Sequence, residues 1–477
     1  MPISELFSDL ALHLQSAQFL QSARHHNYPT AFTRCRKLPL ASLVALLLSG
    51  MRMSVQAELD SFFGHLQQQA QLLRHVSAQA FAQARAKLSR SALPELNDWL
   101  IERAQHHGFV PRWHGLRLVA ADASSMRFGL RASHVKRAAL TDQILFCLAL
   151  PGADLVLAAS LHGLRECNER QMLFEHLHRL SNTDLLLLDR GYPCRWLVAV
   201  LNQRKINFCM RVERSGQAGF ACVREFLHSG LAEQIVTLRP CERLDAADYE
   251  CSREPQIVRL VRCSARNGRV RVMMTNLLDA HRFPAHCFGD LYHQRWCIEE
   301  TFKRLKHRLC LEQVSGLSQH AVEQDVAAKV LCDNLQALTA AASHDRAKLG
   351  QCDRINHAYV HTALKCVAAR LVARQTRCQA APRSPAPDRS ANLSPPPRNL
   401  KTSNARTKTP QIHDAEKLLS KALSLKLGGL ANQRVAAVPC VRLSAWLGVE
   451  SFEPTGLERA AHRLPPHLSE TPLRPRA

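Results

Sequence analysis

Two short apolar runs, each meeting an aspartate, constrain the fold of this 477-residue chain more than any other feature. Residues 116–121 lead into Asp122, and residues 185–188 lead into Asp189. Runs of this length read as buried strands, of the kind that lie inside a sheet covered by helices. Both aspartates are therefore expected where a buried strand gives out. Residues 143–150 and 155–160 flank Pro151-Gly152, a turn signal, and read as a hairpin. Residues 166–180 read as an amphipathic helix. A further helix opens at Pro193 and runs to about 205, and residues 207–212 read as another strand. The order is three strands, helix, strand, helix, strand.

The rest of the chain divides by composition. Residues 1–110 read as helical. Residues 40–48 are a buried run, and Ser54 is placed to cap a helix carrying Glu58, Leu59, Phe62 and Phe63. Ser77 opens a further helix with Phe81, Ala84 and Leu88 inward. Its Gln79, Gln83, Arg85 and Lys87 point outward, as on a helix that reads DNA or on any exposed face. Residues 216–285 read as β-rich, with strands at 234–239, 256–263 and 268–275 and a hairpin signal at Asn267-Gly268. Arg259, Arg262, Arg266, Arg269 and Arg271 there suit either DNA contact or a solvated hairpin. Helices are expected at 320–342 and 353–374. Residues 379–412 read as a disordered, basic, proline-rich linker, and 413–477 as a tail to which no role is assigned.

Residues 292–306 contain neither proline nor glycine and read as helix. At about 100° per residue, Tyr292, Arg295, Glu299 and Lys306 fall within an arc of roughly 60°, with Lys303 beside them. Leu291, Ile298, Phe302, Leu305 and Leu309 form an apolar stripe on the adjoining face. One acid among cations suits a divalent metal next to phosphates. The same spacing is also that of an amphipathic helix with a solvated charged face. Trp296 reads as core or as an edge packer.

Composition narrows the partners. With 63 Lys and Arg against 40 Asp and Glu, the net charge is +23, which favours a polyanion, and nucleic acid is the commonest one. No Lys-rich amphipathic segment supports a membrane surface. The 17 cysteines include no C-x-x-C pair, which suits a reducing compartment and neither a disulfide framework nor a zinc ribbon. The 24 histidines include no H-E-x-x-H. The N-terminus lacks a signal-peptide pattern, and the apolar stretch 38–51 is too short to span a bilayer. A soluble cytoplasmic protein without a membrane partner is expected.

Tyr292, Arg295, Glu299 and Lys306 fit Y-x-x-R-x-x-x-E-x-x-x-x-x-x-K. Together with the surrounding Arg-Trp-Cys-Ile-Glu-Glu-Thr-Phe-Lys, this segment resembles the signature of the DDE transposases of insertion-sequence family four. The resemblance extends from about residue 25 to about 370 and is tightest at Asp189-Arg-Gly-Tyr and at 292–306. It departs at Ala121-Asp122-Ala123-Ser124, where many relatives carry Asp-Gly-Ser or Asp-Gly-Thr.

The resemblance implies an α/β chain with a ribonuclease-H-like core. That core would hold a mixed sheet, with a β-rich insertion between the second and third acids and a helical N-terminal domain ahead of it. The domains would be an end-binding domain at 1–110, a catalytic domain at 111–342 interrupted by 216–285, and a C-terminal helix at 343–378. Asp122, Asp189 and Glu299 would be the catalytic residues and the metal ligands. Asp184, Glu300 and Asp333 are the rival carboxylates. Tyr292, Arg295 and Lys306 would bind DNA phosphates, as would Lys303 beside them. The implied cofactor is two Mg²⁺, with Mn²⁺ as the implied substitute. The implied partners are double-stranded DNA, as terminal inverted repeats and target, and a second copy of the chain, in the bacterial cytoplasm at the nucleoid. The implied activity is cleavage of element ends and transfer of the 3′-hydroxyls into target DNA. An inactive or domesticated DNA-binding descendant and a non-mobilising Mg²⁺ nuclease are the alternatives.

Overall fold

The computed structural model describes residues 3–379 except 35, 69–70, 130–137, 167, 213–219, 265–269 and 349–354, and only the backbone of 370–379. The expected tail, nearly all of the expected linker, the Asn267-Gly268 turn, Arg266 and Arg269 lie outside the described residues.

Six helices open the chain: α1 (Ile3–His13), α2 (Ala17–Ser22), α3 (Leu40–Leu48), α4 (Val55–Leu66), α5 (Ala78–Arg85) and α6 (Ala92–His106). The start of α4 is set as expected, since Ser54 Oγ accepts from the Ala57 amide at 3.3 Å. Glu58 folds back onto the amides of Arg52 and Met53, at 2.8 and 3.0 Å. Ser77 caps α5 in the same way, accepting from the Ala80 amide at 3.2 Å.

The centre of the molecule is one mixed sheet of nine strands. They are β1 (Arg112–Trp113), β2 (Leu116–Arg127), β3 (Asp142–Leu150), β4 (Leu155–Gly163), β5 (Asp184–Leu188), β6 (Asn207–Val212), β7 (Glu233–Leu238), β8 (Gln256–Ser264) and β9 (Val270–Thr275). Their spatial order is β4-β3-β2-β5-β6-β9-β8-β7, with β1 attached to β2. The β2–β3 and β3–β4 pairs are antiparallel, and β5 runs parallel to both β2 and β6. Parallel neighbours need a crossover. Helix α7 (Glu169–His176) lies in the connection that reaches β5, and α8 (Arg195–Gln203) joins β5 to β6. Gly152 makes the β3–β4 turn with φ of +80°, a conformation that favours glycine.

Two expectations about the sheet are corrected. Strand β2 does not stop at Asp122. The antiparallel partner β3 continues the ladder out to Arg127 opposite Asp142, so Asp122 sits within the strand. The stretch 216–285 does not form a separate β-unit. Strand β9 pairs antiparallel with β6, so β7, β8 and β9 extend the central sheet, with α9 (Ala221–Ser229) and α10 (Arg243–Asp248) between them.

The segment 292–306 is helical but not one α-helix. It comprises the end of α11 (Phe288–His293), a 3₁₀ turn at Gln294–Trp296, α12 (Cys297–Lys303) and the start of a π turn at Arg304–Arg308. Beyond it, α13 (Gln319–Arg346) crosses the core and α14 (His357–Gln379) packs on α3 and α4. Alternate residues of the central strands feed two apolar clusters. Val119 and Ala121 join the cluster shared with α3, α6, α7 and α8, while Leu118 and Ala120 join the one shared with α11 and α12.

Candidate active site

Side-chain alternation and register bring the acids together. Asp122 has the parity of Leu118 and Ala120, and Asp189 that of Leu185 and Leu187, so both follow the face covered by α11 and α12. The parallel register pairs Ala120 with Leu187. Asp122 and Asp189 stand two residues beyond that pair on each chain. Neighbouring strands lie about 5 Å apart, so the two carboxylates come from adjacent positions. Helix α12 buries Ile298 and Phe302 against the same face, which leaves Glu299 beside Asp122.

Arg295, on the 3₁₀ turn, ties the group together. Its Nη1 is 3.4 Å from Asp122 Oδ2, and its Nη2 is 2.9 Å from Glu299 Oε1. The Tyr292 hydroxyl donates to Asp189 Oδ1 at 3.2 Å. Lys306 Nζ donates to Ser124 Oγ and to the Ser125 carbonyl, both at 2.8 Å. Asp122, Ala123, Ser124, Glu299, Phe302, Lys303, Lys306 and His307 line a cleft of about 290 Å³.

The electrostatics follow from burial and like charge. Burial raises the Asp122 carboxyl above the usual carboxylate range, and Asp189 and Glu299 add to the effect. The Ala123 amide and Arg295 oppose it. Burial alone would make the Arg295 guanidinium easier to deprotonate, but Tyr292, Asp189, Asp122 and Glu299 more than reverse this. Burial, and then the charge of Asp189, pushes the Tyr292 phenol up, so it stays a donor.

The rival carboxylates each have a structural partner. Asp184 is buried and takes two bonds from Arg117, at 2.6 and 2.8 Å. Asp333 is buried against Arg304, at 3.2 Å. Glu300 pairs with exposed Lys303 at 2.7 Å, so that lysine is already engaged on the surface. Three other expectations are corrected. Trp296 is 51% exposed and so is not a core residue, which leaves the edge-packer reading. Arg259 is buried, bonded to the carbonyls of Leu277 and Phe283 and paired with Glu233, which removes it from any DNA surface. Arg85 points inward to Asp325 of α13 at 2.8 Å.

Sequence spacing did not single out Glu169. It opens α7 from the opposite face of the sheet. Burial raises its carboxyl above the usual range, and the charges of Asp122 and then Asp189 raise it further. Tyr192, the last residue of Asp189-Arg-Gly-Tyr, is fully buried, and its hydroxyl is unpartnered among the described residues.

Three carboxylates offer the hard oxygen donors that Mg²⁺ and Mn²⁺ prefer. Among the described residues no three His, Cys, Asp or Glu side chains form a ready-made metal cage. Here Arg295 supplies the countercharge between Asp122 and Glu299. The donor chemistry fits a divalent cation that takes over that countercharge.

Residues 113–335 match the family model described as Transposase DDE domain. The chain is 24% identical over 323 residues to the transposase InsG for insertion sequence element IS4 of Escherichia coli (strain K12), across 64% of this chain and 71% of that one. It is also loosely similar to the piggyBac transposase in a synaptic complex with hairpin DNA. That match has 11% identity and a TM-score of 0.39, over 79% of this chain and 80% of the other. Residues 113–335 thus match a transposase DDE domain, and the chain is similar to a transposase of the insertion-sequence-four type.

Proposed function

We propose that Asp122, Asp189 and Glu299 hold two Mg²⁺, or Mn²⁺ in their place, in a ribonuclease-H-like core, and that this site cuts the ends of the element. The freed 3′-hydroxyls are then joined to target DNA. One observation carries the reading: carboxylates of β2 and α12 share one buried guanidinium, with a third, after β5, held by Tyr292 beside it. When bound, the cations would activate the attacking oxygen and stabilise the leaving one.

The chain's own residues do the positioning. Tyr292 holds the Asp189 carboxylate in place. Arg295 is able to fork a phosphate once cations replace it between Asp122 and Glu299. Lys306, steadied by Ser124 and Ser125, presents a point charge at the mouth of the cleft. Lys303 adds a second one from the exposed surface. The partners are double-stranded DNA, at the terminal inverted repeats and at the target, and a second copy of the chain on that DNA. The work divides between an end-binding domain at 1–110 and the catalytic domain at 111–342, with helix 343–378 behind it, in the bacterial cytoplasm at the nucleoid.

The test incubates purified chain with Mg²⁺ and DNA carrying the inverted repeats that flank its gene. End-specific nicks are expected from the wild type and none from Asp122→Asn, Asp189→Asn or Glu299→Gln, all three of which still bind the ends. Cutting retained in Asp189→Asn would sink the assignment of the acids. Binding without cutting by the wild type would replace this reading with that of an inactive descendant.

A further inference from the structure

We propose that Glu169 is a fourth carboxylate of the divalent-cation site and that the buried Tyr192 hydroxyl serves the same site. This rests on the reading of Asp122, Asp189 and Glu299 as cation ligands. Asn168 caps α7, accepting from the Gln171 amide at 3.0 Å, so the helix end does not occupy Glu169. The neighbouring Arg170 turns away, donating to the carbonyls of Gly191 and Pro193 at 3.0 and 3.4 Å. These bonds pin the start of α7 onto the turn that follows Asp189. There Glu169 Oε2 lies 3.5 Å from the position a β-carbon on Gly191 would take. Among the described residues its carboxylate makes no hydrogen bond or ion pair, and it stays exposed to solvent.

Tyr192 points independently to a ligand. The backbone amide of Tyr192 closes the turn onto the Asp189 carbonyl at 3.2 Å. Its ring is fully buried in the α7 face, and among the described residues its hydroxyl has no partner. Leaving a buried hydroxyl unpaired costs about 1–3 kcal/mol, so such groups call for an explanation. The charges that bear on this phenol are those of Glu169, Asp122 and Asp189, in that order, with Arg295 opposing them. It is a buried hydroxyl whose charged neighbours are mostly carboxylates. A hydrated divalent cation supplies both missing elements: positive charge for the acids, three of which act on one buried guanidinium, and bound water as acceptor for the phenol.

The test titrates Mn²⁺ into the purified full-length chain and reads the paramagnetic resonance signal of the free ion. Glu169→Gln should weaken Mn²⁺ binding about tenfold, and Glu169→Asp should weaken it less. With the metal chelated, Glu169→Gln should melt no lower than the wild type, because it removes one of several like charges. A lower melting temperature in chelator with unchanged Mn²⁺ affinity would make Glu169 a structural residue and overturn the inference. Unchanged affinity in Glu169→Gln alongside lost binding in Asp122→Asn would overturn it while sparing the three-acid reading. A wild type that binds no Mn²⁺ would overturn both.

Discussion

Asp184 and Asp189 lie five residues apart on one strand and its exit, yet their surroundings give them opposite tasks. Asp184 is fully buried and bonded to Arg117 and to Ser181. Asp189 accepts from a phenol that a cation-bound assembly could share. Removing one partner of a buried ion pair costs about 3–5 kcal/mol, because the other charge is left stranded. Asp184→Asn should therefore lower stability by roughly that amount in urea unfolding. Asp189→Asn should leave the unfolding midpoint nearly unchanged and abolish cutting. Equal unfolding curves for the two variants would show that burial does not separate them. The sequence pointed to Asp189 because it follows the apolar run, whereas Asp184 precedes it. The partner of Asp184 lies 67 positions away and was not legible.

At the scale of elements, helix α5 was expected to expose its polar face, and three of the four residues concerned agree. Gln79 and Gln83 are exposed and Lys87 is partly so. Arg85 is not. Its guanidinium reaches Asp325, Gln324, the Ala321 carbonyl and Ser315, and thereby clamps the N-terminal helices to α13. Truncation to Arg85→Ala should cost about 3–5 kcal/mol, seen as a lower unfolding midpoint. The apolar pair Arg85→Met with Asp325→Leu should recover most of it. A loss below about 1 kcal/mol in the single variant would mean that the clamp carries no stability. Periodicity assigned the face but could not show which neighbour approaches it. The change of winding through 294–308 escaped the helical wheel for the same reason. The wheel assumes one pitch, whereas packing here imposes a 3₁₀ turn and a π turn.

Across the whole molecule, buried histidines set the acid limit of stability. His361 of α14 is buried against α13, with Nδ1 3.1 Å from Gln336 Nε2 and with Arg52 and Lys365 nearby. Burial, and then those two cations, pushes it down to about 4 from an ordinary 6.5. Its folded value is depressed, so the unfolded chain binds the extra proton first. The contribution is present in full above about pH 6.5 and is lost as pH falls toward about 4. By pH 5 the loss amounts to about 2 kcal/mol. His176, likewise down to about 4, behaves in the same sense. Melting temperature should fall between pH 7 and 5, and less steeply in His361→Gln. Parallel profiles for the two proteins would refute the assignment. Among the described residues no helix is long and apolar enough to cross a membrane.

The sequence by itself determined most strands and helices and the helix caps, because these depend on local periodicity, chain stiffness and residue type, and its resemblance to a transposase signature pointed to Asp122, Asp189 and Glu299. Strand β6 and helix α3 fall where the apolar runs put them, and the motif acids face one cleft or lie beside it. Only the tertiary structure decided what depends on distant partners. The parallel register of Ala120 with Leu187 sets Asp122 beside Asp189. The pairing of β9 with β6 merges the insertion into the sheet. The start of α7 sets Glu169 against Gly191, in the turn that follows Asp189. Register and docking are settled by which surfaces exclude water together, and no stretch of chain records that alone.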